Sequence, residues 1–311
     1  MRWGVLCGLL AGALWGLVFI VPRVLAGFTP WELMTGRYLA YGAVAAAMLA
    51  PQARGIAAGL GRADGIALLR QSLAGNIVYY LLLAHAVQLA GVAPTSLIIG
   101  VLPVLVTLMG RADHGAAPLR RLALPLAVVV AGIACINVDV FLHAASTQAP
   151  AGRIAAGIAC AVGALACWSW YAVDNARYLQ RNPRFSSGEW SALYGAASGV
   201  LALAGAAAGV ALGLIGPAAD IVAPPGTSRD WTVFWAVSAG LAIGASLIGN
   251  QLWNIANRRV PLTLTGQLIV FETLFALFYG FVWEGQWPRP LEWAAMVLLL
   301  TGVAWSVRRH R

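Results

Sequence analysis

Ten apolar runs of about twenty residues follow one another with only short polar or turn-rich breaks. They lie at roughly 3–22, 31–50, 66–89, 92–110, 119–138, 154–176, 189–215, 231–256, 260–283 and 291–307. A helix needs roughly 20 apolar residues to cross about 30 Å of hydrocarbon, so each run is a candidate span. The composition agrees: of 311 residues 60% are hydrophobic and 10% are charged, whereas a globular chain carries about 25% charge. The expected fold is an all-α polytopic membrane protein with ten transmembrane helices. The run from Trp3 to Val21 exceeds a signal-peptide core of about 7–15 residues. It therefore reads as a retained first span, although VLAG at 24–27 has the shape of a cleavage site.

The net charge is +9, the pI is near 10, and all 20 basic residues are arginines. Nucleic acid is excluded as a partner because the arginines are scattered, with no basic stripe interleaved with aromatics. Their placement follows the membrane instead. With both termini cytoplasmic, 15 arginines fall on the inner side and four, Arg23, Arg153, Arg229 and Arg289, on the outer side, with Arg37 inside the second span. That bias supports both the span count and the orientation. Cys7, Cys135, Cys160 and Cys167 all lie in apolar runs. Their spacing fits no metal or redox pattern, and no metal or organic cofactor is expected.

The halves of the chain repeat in outline. AGALWGLVFIVPRVL at 11–25 returns as VGALACWSWYAVDNARYL at 162–179, each opening five spans. The fourth and ninth spans, APTSLIIGVLPVLVTL and VPLTLTGQLIVFETLFAL, both open with a proline near a polar cluster. Five spans per half is odd, so the second half, 152–311, is expected upside down relative to the first, 1–145, with the linker near Arg153. Inverted repeats with a midplane site between them are a feature of secondary transporters.

The chain resembles the drug/metabolite transporter superfamily, in particular its ten-helix exporters with two EamA-type repeats. The likeness rests on GALWGLVFIVPRVL leading to FTPWELMTGRYL, on APTSLIIGVLPVL, and on FYGFVWEGQWP followed by LEWAAMVLLLTGVAW. It implies export of small organic molecules such as amino acids, metabolites or drugs across the bacterial inner membrane. One departure is that the fourth span carries Pro103 while the ninth has Glu272 near the matching place.

Glu272 is the costliest residue in the spans: a carboxylate at the bilayer centre costs about 2.5–3.5 kcal/mol on insertion scales. It must face protein or water. Helical spacing puts Thr265, Leu268, Glu272, Phe275 and Tyr279 on one stripe, which suits a cavity wall. Ser246, Asn250, Asn254 and Asn257 form a second polar stripe, with Trp253 beside it. Trp168, Tyr171 and Asn175 recur at spacings of three and four, Asn76, Tyr79 and Tyr80 come from the third span, and Trp15 and Phe19 from the first.

The expected substrate wall is therefore Trp15, Asn76, Tyr79, Tyr80, Trp168, Tyr171, Asn250, Trp253, Asn254 and Glu272, with Glu272 and His85 as coupling groups. Plainer roles stand beside these. Asparagines also join helices, His85 fits a packing position, and Glu272 fits a buried structural pair. Glycines spaced by four, such as Gly8, Gly12 and Gly16 or Gly205, Gly209 and Gly213, read as close packing. Trp231, Trp287 and Trp293 read as interfacial belt. Arg37 reads as structural, snorkelling outward or pairing with Glu32 or a carbonyl.

Glu272 would exchange a proton for an amine, the aromatics would take the apolar body, and the asparagines a carboxylate or amide. The expected activity is secondary transport of amino acids or related amines by alternating access, with lipid, a small-molecule substrate and protons as the only partners and a monomer sufficient. Efflux of lipophilic cations is the alternative, needing the acid but not the asparagines. An enzyme is disfavoured: the sequence has no HExxH, GxSxG or Walker-type loop.

Overall fold

The computed structural model of the protein describes all residues except 26, 91–94, 96–97, 114–115, 144–149, 216–228, 286 and 311. Three helices begin where the sequence supplies acceptors for the free amides of a first turn. Thr29 and Glu32 close a reciprocal capping box around Pro30 at the start of α2, Pro30–Leu49. Ser186 and Glu189 do the same for α7, Ser187–Ala211. Asp230 accepts from the Thr232 and Val233 amides to start α8, which runs through Trp231–Arg259. Around these lie α1 (Arg2–Gly16), α3 (62–90), α4 (Leu102–Met109), α5 (Leu119–His143), α6 (Ala151–Arg181), α9 (262–284) and α10 (Pro290–Arg309). Short helices at Val21–Val24 and Ala53–Gly59 lie between them.

Among the described residues, eight helices are long and apolar enough to cross a membrane. The 20-residue α2, which carries Glu32 and Arg37, is not among them, and α4 is shorter still. Part of the expected fourth span, 91–94 and 96–97, lies outside the described residues. Arg153 falls in the first turn of α6 and not in a linker; 144–149 lie outside the described residues. At 31 residues α6 is about 46 Å long at 1.5 Å per residue. Its C-terminal turns therefore overrun the hydrocarbon, which explains their charges.

The most extensive packing pairs α2 with α7, α5 with α10, α3 with α6, α1 with α8 and α9, and α4 with α9. Apart from α1 with α9, these pairings map onto one another when α1–α5 are exchanged for α6–α10. Small residues set the closest approaches. Gly42 of α2 and Gly199 of α7 meet backbone to backbone, so a Cβ on either would strike the other's Cα. Gly8, Gly12 and Gly16 of α1 lie on Leu268, Phe271 and Phe275 of α9. Gly205 and Gly209 pack on α2 as expected, but Gly213 lies beyond α7 with φ 69°, a left-handed position that suits glycine.

Three helices are irregular in the middle. α3 is α-helical over Arg62–Ser72, π-helical over Leu73–Val78 and α-helical again over Tyr79–Ala90. α8 repeats the pattern: Trp231–Leu241, a π turn at Ala242–Ile248, then Gly249–Arg259. Each π turn follows an 11-residue α-helical segment. α9 is interrupted at Ile269, between Leu262–Leu268 and Val270–Glu284.

Candidate functional site

The aromatic residues singled out from sequence converge. The rings of Trp15, Trp168 and Trp253 form a mutual cluster with centroids 5.2–6.2 Å apart. Trp168 continues to Tyr171, which stacks on Tyr194 at 5.4 Å. The Trp15 indole donates to the Ala245 carbonyl at 2.9 Å, inside the α8 π turn. Widened turns leave carbonyls open to side chains, and this one is filled. Trp253 is buried, and its indole N–H has no partner among the described residues. Phe19, by contrast, is 48% exposed and stands apart from this cluster.

The asparagines are largely spent on protein. Asn175 donates to Asn254 Oδ1 at 2.9 Å and accepts from the Trp190 indole at 3.2 Å. Asn254 donates to the Ser187 carbonyl at 3.4 Å. Asn250 donates to the Tyr41 hydroxyl at 3.4 Å, and Tyr41 donates to the Ser191 carbonyl at 2.6 Å. Asn76 donates to Ser198 Oγ at 2.7 Å. Ser246, Asn250, Asn254 and Asn257 are all buried, so the stripe faces inward as its spacing implies, and its members tie α8 to α2, α6 and α7.

Glu272 sits near the middle of the span Leu262–Trp283, in the first turn of the second segment of α9. Its amide bonds the Ile269 carbonyl at 3.0 Å. The break places a helix start, with its unpaired amides, at mid-span. Among the described residues no hydrogen bond or ion pair engages the carboxylate, and its side chain remains partly accessible. Only part of the stripe expected to line a cavity is open. Leu268 and Phe275 lie under Gly8 and Gly16, and the Tyr279 hydroxyl donates to the Ala13 carbonyl at 3.1 Å.

Arg37 is the residue that the sequence reading misplaced. Glu32 is held by Arg229 at 2.5 Å and by its own capping box, so it is not Arg37's partner. Nor does Arg37 snorkel outward: its Nε donates to Ser246 Oγ at 3.2 Å, in the α8 π turn and near the middle of Trp231–Arg259. Its guanidinium carbon lies 5.2 Å from the Tyr38 ring centroid and 5.9 Å from that of Tyr80. Gly12 of α1 packs on the Glu272 backbone, and Trp15, one turn on, bonds Ala245, beside the Ser246 that anchors Arg37. The sequence held one signal for this. TPWE at 29–32 is a capping-box pattern, which commits Glu32 to the helix start and leaves Arg37 to find another neighbour.

His85 is half-buried, and its Nδ1 lies 2.7 Å from the Leu81 carbonyl of its own helix. Ion pairs frame the two ends of the bundle. At the α6 end Arg184 holds Asp64, Arg70 holds Asp174, and Arg177 holds Asp113 at 2.5–3.0 Å. Tyr178 also donates to Asp64. At the other end Arg229 holds Glu32, and Arg289 holds Asp139. A cleft of about 540 Å³ beside Arg184 and Phe185 contains none of the central residues. Among the described residues no three His, Cys, Asp or Glu side chains are grouped to hold a metal.

Comparison with known proteins completes the picture. Residues 2–138 match the EamA-like transporter family. The inner membrane protein YtfF of Escherichia coli (strain K12) is 33% identical over 309 residues, covering 98% of this chain and 95% of its own. A solved crystal structure at 22% identity covers 98% of both chains with a TM-score of 0.70, a likeness of fold. The whole-length match to YtfF and the family match over the first half together make this chain a member of the EamA-like transporter family, within the drug/metabolite transporter superfamily.

Proposed function

We propose that the protein is a ten-helix secondary transporter of the bacterial inner membrane, built as two inverted five-helix repeats with both termini cytoplasmic. It exports small amphipathic metabolites, such as amino acids or related amines, by alternating access. The repeat is supported by the exchangeable helix pairings, the matched capping boxes of α2 and α7, and the π turns at equal depth in α3 and α8. The inner-membrane placement is supported by the likeness to YtfF and by the arginine bias.

The observation that carries the reading is Glu272. It is a mid-span carboxylate at a helix start, partly accessible and engaged by no hydrogen bond or ion pair among the described residues. Intramembrane ionisable groups of this kind mark substrate and proton pathways. In this reading Glu272 binds and releases the coupling proton. The test compares wild type with Glu272→Gln in proteoliposomes, following net uptake and substrate counterflow from pH 6 to 8. Net uptake is expected to lose its pH dependence while counterflow survives. Unchanged behaviour in both assays would make the carboxylate structural.

Efflux of lipophilic cations is the second reading. The bonding of the asparagines to protein favours it, because such a substrate needs only the acid and the tryptophan cluster. Arg37, a cation in the same interior, weighs against it.

A further inference from the structure

We infer that Arg37 is the specificity-determining residue that binds a substrate carboxylate, so that the site takes a molecule bearing an amine and a carboxylate together. The inference rests on the transport reading above and deepens it. Three observations carry it.

The first is that the guanidinium is anchored at one corner. Nε is committed to Ser246 Oγ at 3.2 Å, while the terminal nitrogens have no acceptor among the described residues. A guanidinium has five donors in a planar fork that matches a carboxylate in bidentate fashion. Four of the five donors are on the terminal nitrogens.

The second is that the group is placed and oriented. The flanking rings of Tyr38 and Tyr80 fix its surroundings, and its anchor is a π turn near the middle of a span. A structural arginine in a membrane pairs fully with protein or reaches the interface. This one does neither.

The third is the relation to Glu272. Gly12 of α1 packs on the Glu272 backbone and Trp15, one turn on, bonds the residue next to Arg37's anchor, so the two opposite charges share one interior without forming an ion pair among the described residues. Two separated charges at the depth of the bilayer centre are each costly. A zwitterion with its carboxylate on Arg37 and its amine toward Glu272 satisfies both at once. The carboxylate role first assigned to the asparagines belongs to Arg37, because the asparagines already hold protein partners.

The test uses the full-length protein in proteoliposomes and a panel of the twenty amino acids. Each is set beside its decarboxylated amine and its deaminated acid, for example phenylalanine, phenethylamine and 3-phenylpropionate. Wild type is expected to prefer at least one amino acid to its matched amine by about 30-fold, the worth of one charge-assisted hydrogen-bonded contact. Arg37→Gln is expected to bring that ratio to near one, with Arg37→Lys intermediate. Ser246→Ala keeps the charge but frees its anchor, and is expected to reduce the ratio several-fold; thermal unfolding of each variant checks the fold.

If wild type moves amines and matched amino acids equally well, the inference is wrong while transport stands. A ratio left unchanged by both Arg37→Gln and Ser246→Ala has the same meaning. If no compound in the panel crosses, the transport reading itself falls, and the inference falls with it.

Discussion

Among the described residues, the π turn at Leu73–Val78 bonds and packs on uncharged partners. Gly75 lies beneath Tyr171 and Tyr194, and Asn76 is bonded to Ser198. Around its counterpart at Ala242–Ile248 the neighbours bring donors. The Trp15 indole reaches Ala245, Ser191 reaches Leu247, and Arg37 reaches Ser246. The backbone device is the same, and each is preceded by an α-helical segment of 11 residues. One copy has become a packing joint and the other a polar one. A repeated architecture thus supplies two equivalent places, and side chains from α1, α2 and α7 decide which of them holds a charge.

Substitutions at equivalent positions can break or sharpen that contrast. The largest effect is expected for Gly75→Val. A Cβ at Gly75 would lie 2.6 Å from the Tyr171 ring and the Tyr194 hydroxyl, and overpacking of a tight site costs about 1–3 kcal/mol or more. Thermal unfolding in detergent should fall sharply, and a wild-type melting curve would refute the joint.

Next comes Asn76→Ala. It removes the buried bond to Ser198 and should cost about 1–2 kcal/mol, read in the same assay, with no change in substrate selectivity. A changed selectivity would move Asn76 from the joint into the site. Trp15→Phe keeps an aromatic ring but strips the donor from the Ala245 carbonyl; a loss of about 1 kcal/mol is expected. A cost well above that would mean the indole packing, not its N–H, supports the α8 turn. The smallest effect belongs to Gly244→Ala. Its Cβ would meet only Leu14 Cδ2, at 3.9 Å, so the change should be neutral or stabilising by about 0.5 kcal/mol. Equal penalties at Gly75 and Gly244 would show that the two turns are packed alike.

Much of the helix pattern was legible from residue order. Spans expected at 119–138, 231–256 and 291–307 correspond to Leu119–His143, Trp231–Arg259 and Pro290–Arg309. Apolar length is a local property, and lipid permits few other backbones. The inward face of Ser246, Asn250, Asn254 and Asn257 was legible for the same reason: a period of 3.6 is local too. What those asparagines touch was not. Asn175 and Asn254 are 79 residues apart, and Arg37 and Ser246 are 209 apart; no spacing rule reaches that far. The π turns left no readable trace either, because a single extra residue in a turn barely disturbs hydrophobic periodicity.

The sequence by itself determined that this chain lives in lipid, where its helices run, and that a carboxylate lies among them. Those follow from transfer free energy and from hydrogen bonds that close within one segment. Only the tertiary structure decided which groups share the interior. It assigned Glu32 to Arg229, turned the asparagines into joints between helices, and anchored Arg37 on Ser246 of α8. The physical reason is that a buried polar group bonds to whatever the packing brings near, and packing here is set by glycine contacts such as Gly42 on Gly199, between helices far apart in the chain.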